Sequence, residues 1–583
     1  MKDRYPPTSV PAHCLVAPQD QPDYTEPNHD LVGAWANVGY ALSDAHVCAG
    51  HGDDLAMIHA DTARSYTFSA IAEVSTLLAQ GLMALGVVVG DRIALRGPNV
   101  PELIIGMLAV WKAGGVVVPT PLQAQPEELR FFLDDTSARF LVVVAATGDD
   151  LAVVAEAVAG SPIEEVFTYG DTPSGAGPYR DLRILTDATE IHAAPLPTTP
   201  SDAVAVLWHT GGTTGQPKGC YHTHRRFLLG GYALGAVTAA ARGQRWAAAA
   251  PAGHALGFMY HTTGTLLHGS TTVLIENFRD PQRVVAAIAD FQVNVFTAIT
   301  ATWARMIDVL DENGRDLPSL RRAYAMWQSA SSADVRMRWQ KRGITLINNY
   351  GSTAFATWPM TPRHDEDFPA ASLGRPLPGY IVAAVQRTGS GLQVIETGRG
   401  QMAVRGLTGL TYWNRPELQR RDVVDGWSIC DDLIEFDGTG NAAYLGRTDY
   451  LISTSGYKVA PVEVENVLST HTAVREVAVV GAPDPIRQEI VVAFIAVRPG
   501  VPTNDELATE LQAHVRNRLS PYKAPRRFHF VTELPRDPVG KIRGKVLQTW
   551  AADGAAPAPS TPDQKPRSLQ GGDVIDPDPT ARH

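Results

Sequence analysis

The residues best suited to chemistry lie in one stretch near the middle of the chain, Trp208-His209-Thr210-Gly211-Gly212-Thr213-Thr214-Gly215-Gln216-Pro217-Lys218-Gly219. Its glycines let backbone N–H groups turn into one concavity, its threonines add hydroxyls, and Lys218 adds a mobile positive charge. That combination suits phosphate oxygens. A Walker loop would need Gly-Lys followed by Ser or Thr, whereas Lys218 is followed by Gly219, so the cradle is of another kind. The alternative is a flexible surface turn rich in Gly and Thr. The context favours phosphate: an apolar run, Ala203 to Trp208, enters the loop, and a polar, helix-compatible segment from Thr223 follows it. A strand feeding a glycine-rich loop and then a helix is where nucleotides bind.

The elements that must position such a loop read as alternating helices and strands. Ile71, Val74, Leu77, Leu78 and Leu82 recur at helical spacing, and Gly86 closes the pattern. The strand Ile93 to Leu95, a helix from Pro101 ending at Gly114-Gly115, and the strand Val116 to Val118 come next. Phe140 to Val144 is a buried-strand run, followed by a helical stretch, Asp150 to Val158. Beyond the loop, Thr272 to Ile275, Val293 to Ala298, Ala323 to Trp327 and Thr345 to Asn349 read as strands of a second parallel layer. From Ser372 to Asp437 short strands punctuated by glycine predict a small β-subdomain. The section from about Gly446 reads as a compact α+β unit: a helix over Pro461 to Leu468, strands over Val477 to Val480 and Val491 to Val497, and a capping box, Thr503 to Glu506, opening a helix to Leu519.

With 583 residues the chain is too long for one core, and about three to four folding units are expected. The net charge of -11 gives no basic footprint for nucleic acid or anionic membrane, so small molecules are the expected partners. Cys14, Cys48, Cys220 and Cys430 are scattered without a CxxC pair, which suits neither a disulfide framework nor a zinc site and points to the cytoplasm. No apolar run approaches the length of a membrane span.

Joined by four further stretches in the same order, the loop is highly specific. These are Asn349-Tyr350-Gly351-Ser352-Thr353, Asp432 to Asp437, Gly446-Arg447-Thr448-Asp449, and Pro535 to Arg543 containing Gly540-Lys541. Together they resemble the adenylate-forming superfamily of acyl- and aryl-CoA ligases, peptide-synthetase adenylation domains and luciferase, over about Leu31 to Leu547. Asp44-Ala45-His46, Gly50-His51-Gly52-Asp53, Val404-Arg405-Gly406 and Tyr412-Trp413-Asn414-Arg415-Pro416 look most like benzoate- and aminobenzoate-CoA ligases.

The resemblance implies an α/β fold: a large N-terminal domain of two parallel α/β sheet subdomains plus a small β-subdomain, and a mobile α+β C-terminal domain. The expected units are an N-terminal arm (1–30), the adenylation domain (31–446), the C-terminal domain with the catalytic lysine (447–550) and a disordered tail (551–583). It also implies that a carboxylic acid, expected to be aromatic, attacks ATP to give an acyl adenylate, and that a thiol, usually that of CoA, then takes the acyl group. Thr210, Gly211, Gly212, Thr213, Thr214, Gly215 and Lys218 would hold the phosphates. Tyr350, Gly351 and Ser352 match the segment where adenine packs, Thr353 the residue near the α-phosphate, Asp432 the acceptor of both ribose hydroxyls, and Arg447 a ribose or phosphate contact. Lys541 matches the lysine that bridges the carboxylate and α-phosphate, Asp449 the hinge, and Gly456 and Tyr457 the thiol tunnel. His254 takes the place of an aromatic gate at the acid pocket, which Phe355 would also line.

The chain departs from the pattern where Mg²⁺ is usually bound, because Ala354 replaces a glutamate. Gly211 replaces a serine, Cys430-Asp431 replace Thr-Gly, and Ser329-Ala330-Ser331-Ser332 replace the usual motif near adenine. Three readings follow: an ATP- and Mg²⁺-dependent aryl- or acyl-CoA ligase, a diazotase activating nitrite for attack by an aryl amine, and a non-catalytic homologue. Lys541, Asp432 and Arg447 argue against the last. The acceptor is CoA, a carrier thiol or an amine, with no nucleic-acid or membrane partner, and a homo-oligomer is left open.

Overall fold

The computed structural model describes residues 8–24, 31–171, 179–183, 195–210, 217–326, 333–363, 368, 372–389, 391–454, 457–536 and 542–554, with the backbone alone for Thr210, Ala333, Asp449 and Lys458. In chain order the strands of the first two sheets are β1 (Leu55–His59), β2 (Arg64–Thr67), β3 (Arg92–Arg96), β4 (Val116–Pro119), β5 (Phe140–Val144), β6 (Glu165–Tyr169), β7 (Arg180–Asp181), β8 (Val204–Thr210), β9 (Lys218–Thr223), β10 (Arg245–Ala248), β11 (Thr271–Leu274), β12 (Val295–Ile299), β13 (Arg322–Met326) and β14 (Leu346–Asn348).

They form two seven-stranded sheets, in the orders β7-β6-β5-β3-β4-β8-β9 and β14-β13-β12-β10-β11-β1-β2. Each sheet is parallel except at one edge, where β9 and β2 return antiparallel to β8 and β1. Parallel strands covered by helices on both faces need apolar side chains in both directions. The continuous runs of β4 and β5 meet that need, and every residue of both is buried. The helix Phe68–Ala84 begins where Thr67 Oγ1 accepts from Ala70 N and ends before Gly86, whose φ of +91° lets the chain turn into β3. It buries Phe68, Ile71, Leu78 and Leu82 in the main core.

The third sheet has nine strands and is antiparallel. Its members are β15 (Tyr350–Ser352), β16 (Thr357–Thr361), β17 (Ser372–Pro376), β18 (Tyr380–Thr388), β19 (Gly391–Ile395), β20 (Gly398–Gly406), β21 (Val423–Val424), β22 (Trp427–Phe436) and β23 (Ala442–Arg447). At Gly374 the φ is +71°, and a Cβ there would meet the Thr361 carbonyl at 2.2 Å, so the close approach of β17 to β16 requires glycine.

The last sheet, β24 (Ile452–Thr454), β25 (Tyr457–Val459), β26 (Val474–Asp484), β27 (Gln488–Val497) and β28 (Arg527–Phe530), has cores of its own. Its helix Asp505–Arg516 is capped by Asn504, whose side chain accepts from Leu507 N at 3.0 Å. The capping box expected from Thr503 is therefore not formed, and Asn504, one residue later, caps the helix alone. Asn is at least as good an N-cap as Thr, and Asn504 is the residue whose oxygen reaches the free N–H.

Residues 8–24 run as an arm with short 3-10 turns at Ala12–Cys14 and Pro18–Asp20, pinned along its length. Ser9 N donates to Val89 O, Val16 N to the Tyr221 hydroxyl and Asp23 N to Gly426 O, and Cys14 and Val16 are buried. The expected tail, apart from Ala551–Gly554, lies outside the described residues. Among the described residues no helix is long and apolar enough to cross a membrane.

Candidate active site

The third sheet and the carboxyl end of β14 converge on Asp432. Asp432, on β22, lies opposite Arg447 of β23, and a register shift between Leu433 and Ile434 sets Tyr444 beside the same carboxylate. Tyr444 donates its hydroxyl to Asp432 Oδ1 at 3.2 Å, and Tyr350 donates to Oδ2. Burial and the neighbouring Asp432 charge hold both phenols well above their ordinary pKa, so both remain donors. An ionised carboxylate offers about four acceptor positions. Two phenols fix its plane, the orientation that a carboxylate needs to accept both hydroxyls of a vicinal diol. Arg447 Nη2 holds Asp431 at 3.2 Å on the exposed side.

Cys430 borders the same cluster. Burial, then the charges of Asp432 and Asp431, push its thiol well above the usual range, so it is a packing group here and not a nucleophile. Next to β15, Thr353–Phe355 form a single tight turn in which Ala354 N donates to Ser352 Oγ at 3.3 Å. From β9, His222 Nε2 donates to the Thr353 carbonyl at 2.8 Å. Burial lowers the His222 pKa to about 4, which keeps the ring neutral and fixes the Nε2–H tautomer. Asn349, at the carboxyl end of β14, is buried, and its Oδ1 has no hydrogen-bond partner among the described residues. The sequence motifs do not include Tyr444 or His222, and they include Asn349 without giving it a role. Only the spacing Tyr444-Leu445-Gly446-Arg447 beside the Asp432 strand hints at the first.

The glycine-rich stretch does not lead from a strand directly into a helix, as expected. β8 and β9 pair antiparallel, with Thr210 opposite Lys218, so Gly211, Gly212, Thr213, Thr214 and Gly215, which lie outside the described residues, connect the two strands of a hairpin. The polar run Lys218–Thr223 becomes a strand because non-local partners cover it. Tyr221 N donates to Thr411 O, and Cys220 bridges to Tyr412. The helix then starts at His224, capped by Thr223. Lys218 Nζ sits 5.9 Å from the centre of the Tyr412 ring.

Beneath the hairpin a buried charge cluster braces β8: Asp135 accepts from His209 Nε2 at 3.0 Å and from Arg415, and its backbone carbonyl accepts from Trp413 Nε1. Burial alone would raise the Asp135 pKa, but the bonds from His209 and Arg415 outweigh it, and the carboxyl lies below its usual range.

The remaining candidates belong to other elements. His254 is an exposed N-cap, its Nδ1 accepting from Leu256 N at 3.4 Å at the head of the helix Ala255–His261. Phe355 is fully buried in the core. Gly351 and Ser352 lie in β15, and Asp449 in a short turn, Thr448–Tyr450. Tyr457 is 55% exposed and stacks on Tyr522 with ring centres 4.3 Å apart. Gly456 and Lys541 lie outside the described residues; Arg536 and Ile542, which flank the lysine's segment, bridge one another.

Ala354 is buried and carries no oxygen on its side chain, so it cannot ligate a metal. Among the described residues the one group of His, Cys, Asp or Glu side chains that could share an ion lies at the far edge of the second sheet. The position that resembles the metal-binding glutamate thus supplies no side-chain ligand for Mg²⁺.

A family model described as AMP-binding enzyme matches residues 45–413, and that of its C-terminal domain matches 463–541. The chain is 28% identical to the acetyl-coenzyme A synthetase of Bacillus subtilis (strain 168), over 88% of this chain and 90% of that protein. It is 29% identical to the benzoate–CoA ligase of Thauera aromatica, over 88% and 96%. Among solved structures, the anthranilate CoA ligase AuaEII in complex with anthranoyl-AMP shares the fold, with a TM-score of 0.81 at 24% identity, over 90% of this chain and 99% of that one. The chain belongs to the AMP-binding enzyme family, as an adenylate-forming enzyme of the acyl- and aryl-CoA ligase group.

Proposed function

We propose that this protein joins an aromatic carboxylic acid to CoA in two steps. The acid carboxylate attacks the α-phosphorus of ATP and expels pyrophosphate, and the CoA thiol then displaces AMP from the acyl adenylate. The observation that carries the nucleotide half is the Asp432 carboxylate, held in plane by Tyr350 and Tyr444 as the acceptor of a ribose diol must be. The benzoate–CoA ligase relative, and the anthranoyl-AMP bound to a ligase of the same fold, support the aromatic acid.

In this reading Thr210 to Lys218 grip the β- and γ-phosphates, Tyr350 to Thr353 pack adenine and approach the α-phosphate, and Arg447 reaches ribose or phosphate. Lys541 stabilises the charge that develops between the carboxylate and the α-phosphate. His254 and Phe355 belong to the acid side, and a C-terminal domain from about residue 447 turns at Asp449 to bring Gly456 and Tyr457 to the thiol. Mg²⁺ enters with the triphosphate and is held by phosphate and water, since Ala354 offers it no ligand.

The test is mass spectrometry of full-length protein with ATP, Mg²⁺, CoA and either benzoate or 2-aminobenzoate. AMP and the matching thioester are expected. AMP that appears only with nitrite and an aryl amine would replace this reading with diazotisation.

A further inference from the structure

At the opposite edge of the second sheet, three side chains from two segments meet. His59 ends β1, Asp61 lies in the turn to β2, and Glu276 follows β11, which pairs parallel with β1 so that His59 lies opposite Leu274. The His59 side chain is only 9% exposed, and its Nε2 is buried with no hydrogen-bond partner. That nitrogen points between two carboxylates, 3.8 Å from Asp61 Oδ2 and 3.7 Å from Glu276 Oε2. Both separations are too long for a hydrogen bond. A buried ring nitrogen left unsatisfied is costly and calls for a partner that these two acceptors do not supply.

We propose that His59, Asp61 and Glu276 bind a divalent transition-metal ion of the Zn²⁺ class. The three ligand atoms lie within 4.8 Å of one another. Ligands at about 2.0–2.2 Å from a tetrahedral Zn²⁺ sit about 3.4 Å apart. The two separations from His59 Nε2, 3.8 and 3.7 Å, exceed this by a few tenths of an ångström, and Glu276, 48% exposed, has the freedom to move.

The surroundings already orient the ligands. Thr62 Oγ1 lies 2.9 Å from His59 Nδ1, so an Nδ1–H donated to that hydroxyl leaves the Nε2 lone pair for the ion. Glu276 N donates to Asp61 Oδ2 at 3.0 Å, tying one ligand's backbone to the other's carboxylate. Arg64, which pairs with His59 across the β1–β2 hairpin, is directed to Glu102 and Tyr66, so it does not neutralise the acidic pair. The set therefore presents two negative charges and one imidazole. The imidazole favours Zn²⁺ and its neighbours in the first row over Mg²⁺ or Ca²⁺, which prefer oxygen ligands alone. Three protein ligands leave the fourth position to water. The bound ion would fasten the end of β1 to the end of β11, stabilising the folded chain by mass action.

The experiment uses full-length protein stripped of metal by chelator and dialysed. Co²⁺ is titrated with visible absorption as the readout, and Zn²⁺ binding is measured by calorimetry and by elemental analysis after dialysis, both without ATP. Wild-type protein is expected to take up one equivalent that His59→Gln and Glu276→Gln each weaken by about tenfold or more. Zn²⁺ should also raise the thermal midpoint of wild type and leave that of Glu276→Gln unchanged. Glu276 is exposed, so matching midpoints for the metal-free wild type and this variant would show that the variant is folded. Absence of binding, or binding of equal stoichiometry and affinity in wild type and both variants, would overturn the site.

Discussion

Two polar clusters lie beyond the carboxyl ends of parallel strands of the second sheet, one of them carried by the third sheet, and they are built on opposite principles. Past β14, the Asp432 carboxylate is supplied with donors by Tyr350 and Tyr444. Past β1 and β11, two carboxylates and a ring nitrogen face one another, with the Glu276 backbone N–H, which donates to Asp61, as the donor among the described residues. A carboxylate already held by neutral donors is oriented and ready to accept more of them, as a diol would provide. An acceptor-only set is incomplete until a cation joins it. The same side-chain chemistry thus selects different ligands according to what surrounds it.

Removing the Asp432 carboxylate breaks this contrast most severely. Two hydrogen bonds to a charged group, each contributing about 1.5–3 kcal/mol, imply that Asp432→Ala lowers kcat/KM for ATP by about 10³-fold, whereas Asp61→Asn leaves it unchanged. Steady-state release of AMP measures both.

His222 extends the comparison to a neutral buttress. Its folded pKa of about 4 lies below the ordinary value of 6.5, so the unfolded chain binds the extra proton between those values. The stability it contributes is complete above pH 6.5 and is lost as the pH falls towards 4, at about 1.4 kcal/mol per pH unit. Denaturant midpoints measured from pH 7 to 4 should show a correspondingly shallower acid limb in His222→Gln than in wild type.

A smaller effect separates orientation from charge. Tyr444→Phe removes one donor and leaves Asp432 ionised, so KM for ATP should rise by about fivefold, from a bond contributing about 1 kcal/mol, with kcat little altered. A change confined to kcat would mean that the phenol acts on the chemical step instead. Far from both clusters, Asn504→Ala should lower stability by about 1 kcal/mol, while Thr503→Ala has almost no effect in the same denaturant titration.

Much of this architecture is legible in the sequence wherever burial is local. β4 and β5 announce themselves as continuous apolar runs, and Gly86 and Gly114 mark real turns with positive φ. What escapes is structure created by distant partners. The helix expected from Thr223 is present, but Lys218–Thr223, which no sequence pattern marks as an element, is a strand because β8 lies on one side and Thr411 and Tyr412 on the other. Tyr444 reaches Asp432 through a bulge at which the spacing to Arg447 only hints. His59 and Glu276 lie far apart in the chain and meet only because β1 pairs with β11. Asp432 itself is legible through the motif around it, while its phenol partners become visible only when the third sheet is assembled.

The central claim, that a carboxylic acid is activated at the Asp432 end, is tested most directly by exchange of label between pyrophosphate and ATP in the absence of CoA. The account predicts exchange that requires an aromatic carboxylic acid and disappears in Lys541→Ala. Exchange that no carboxylic acid supports, or that persists undiminished in Lys541→Ala, would contradict it.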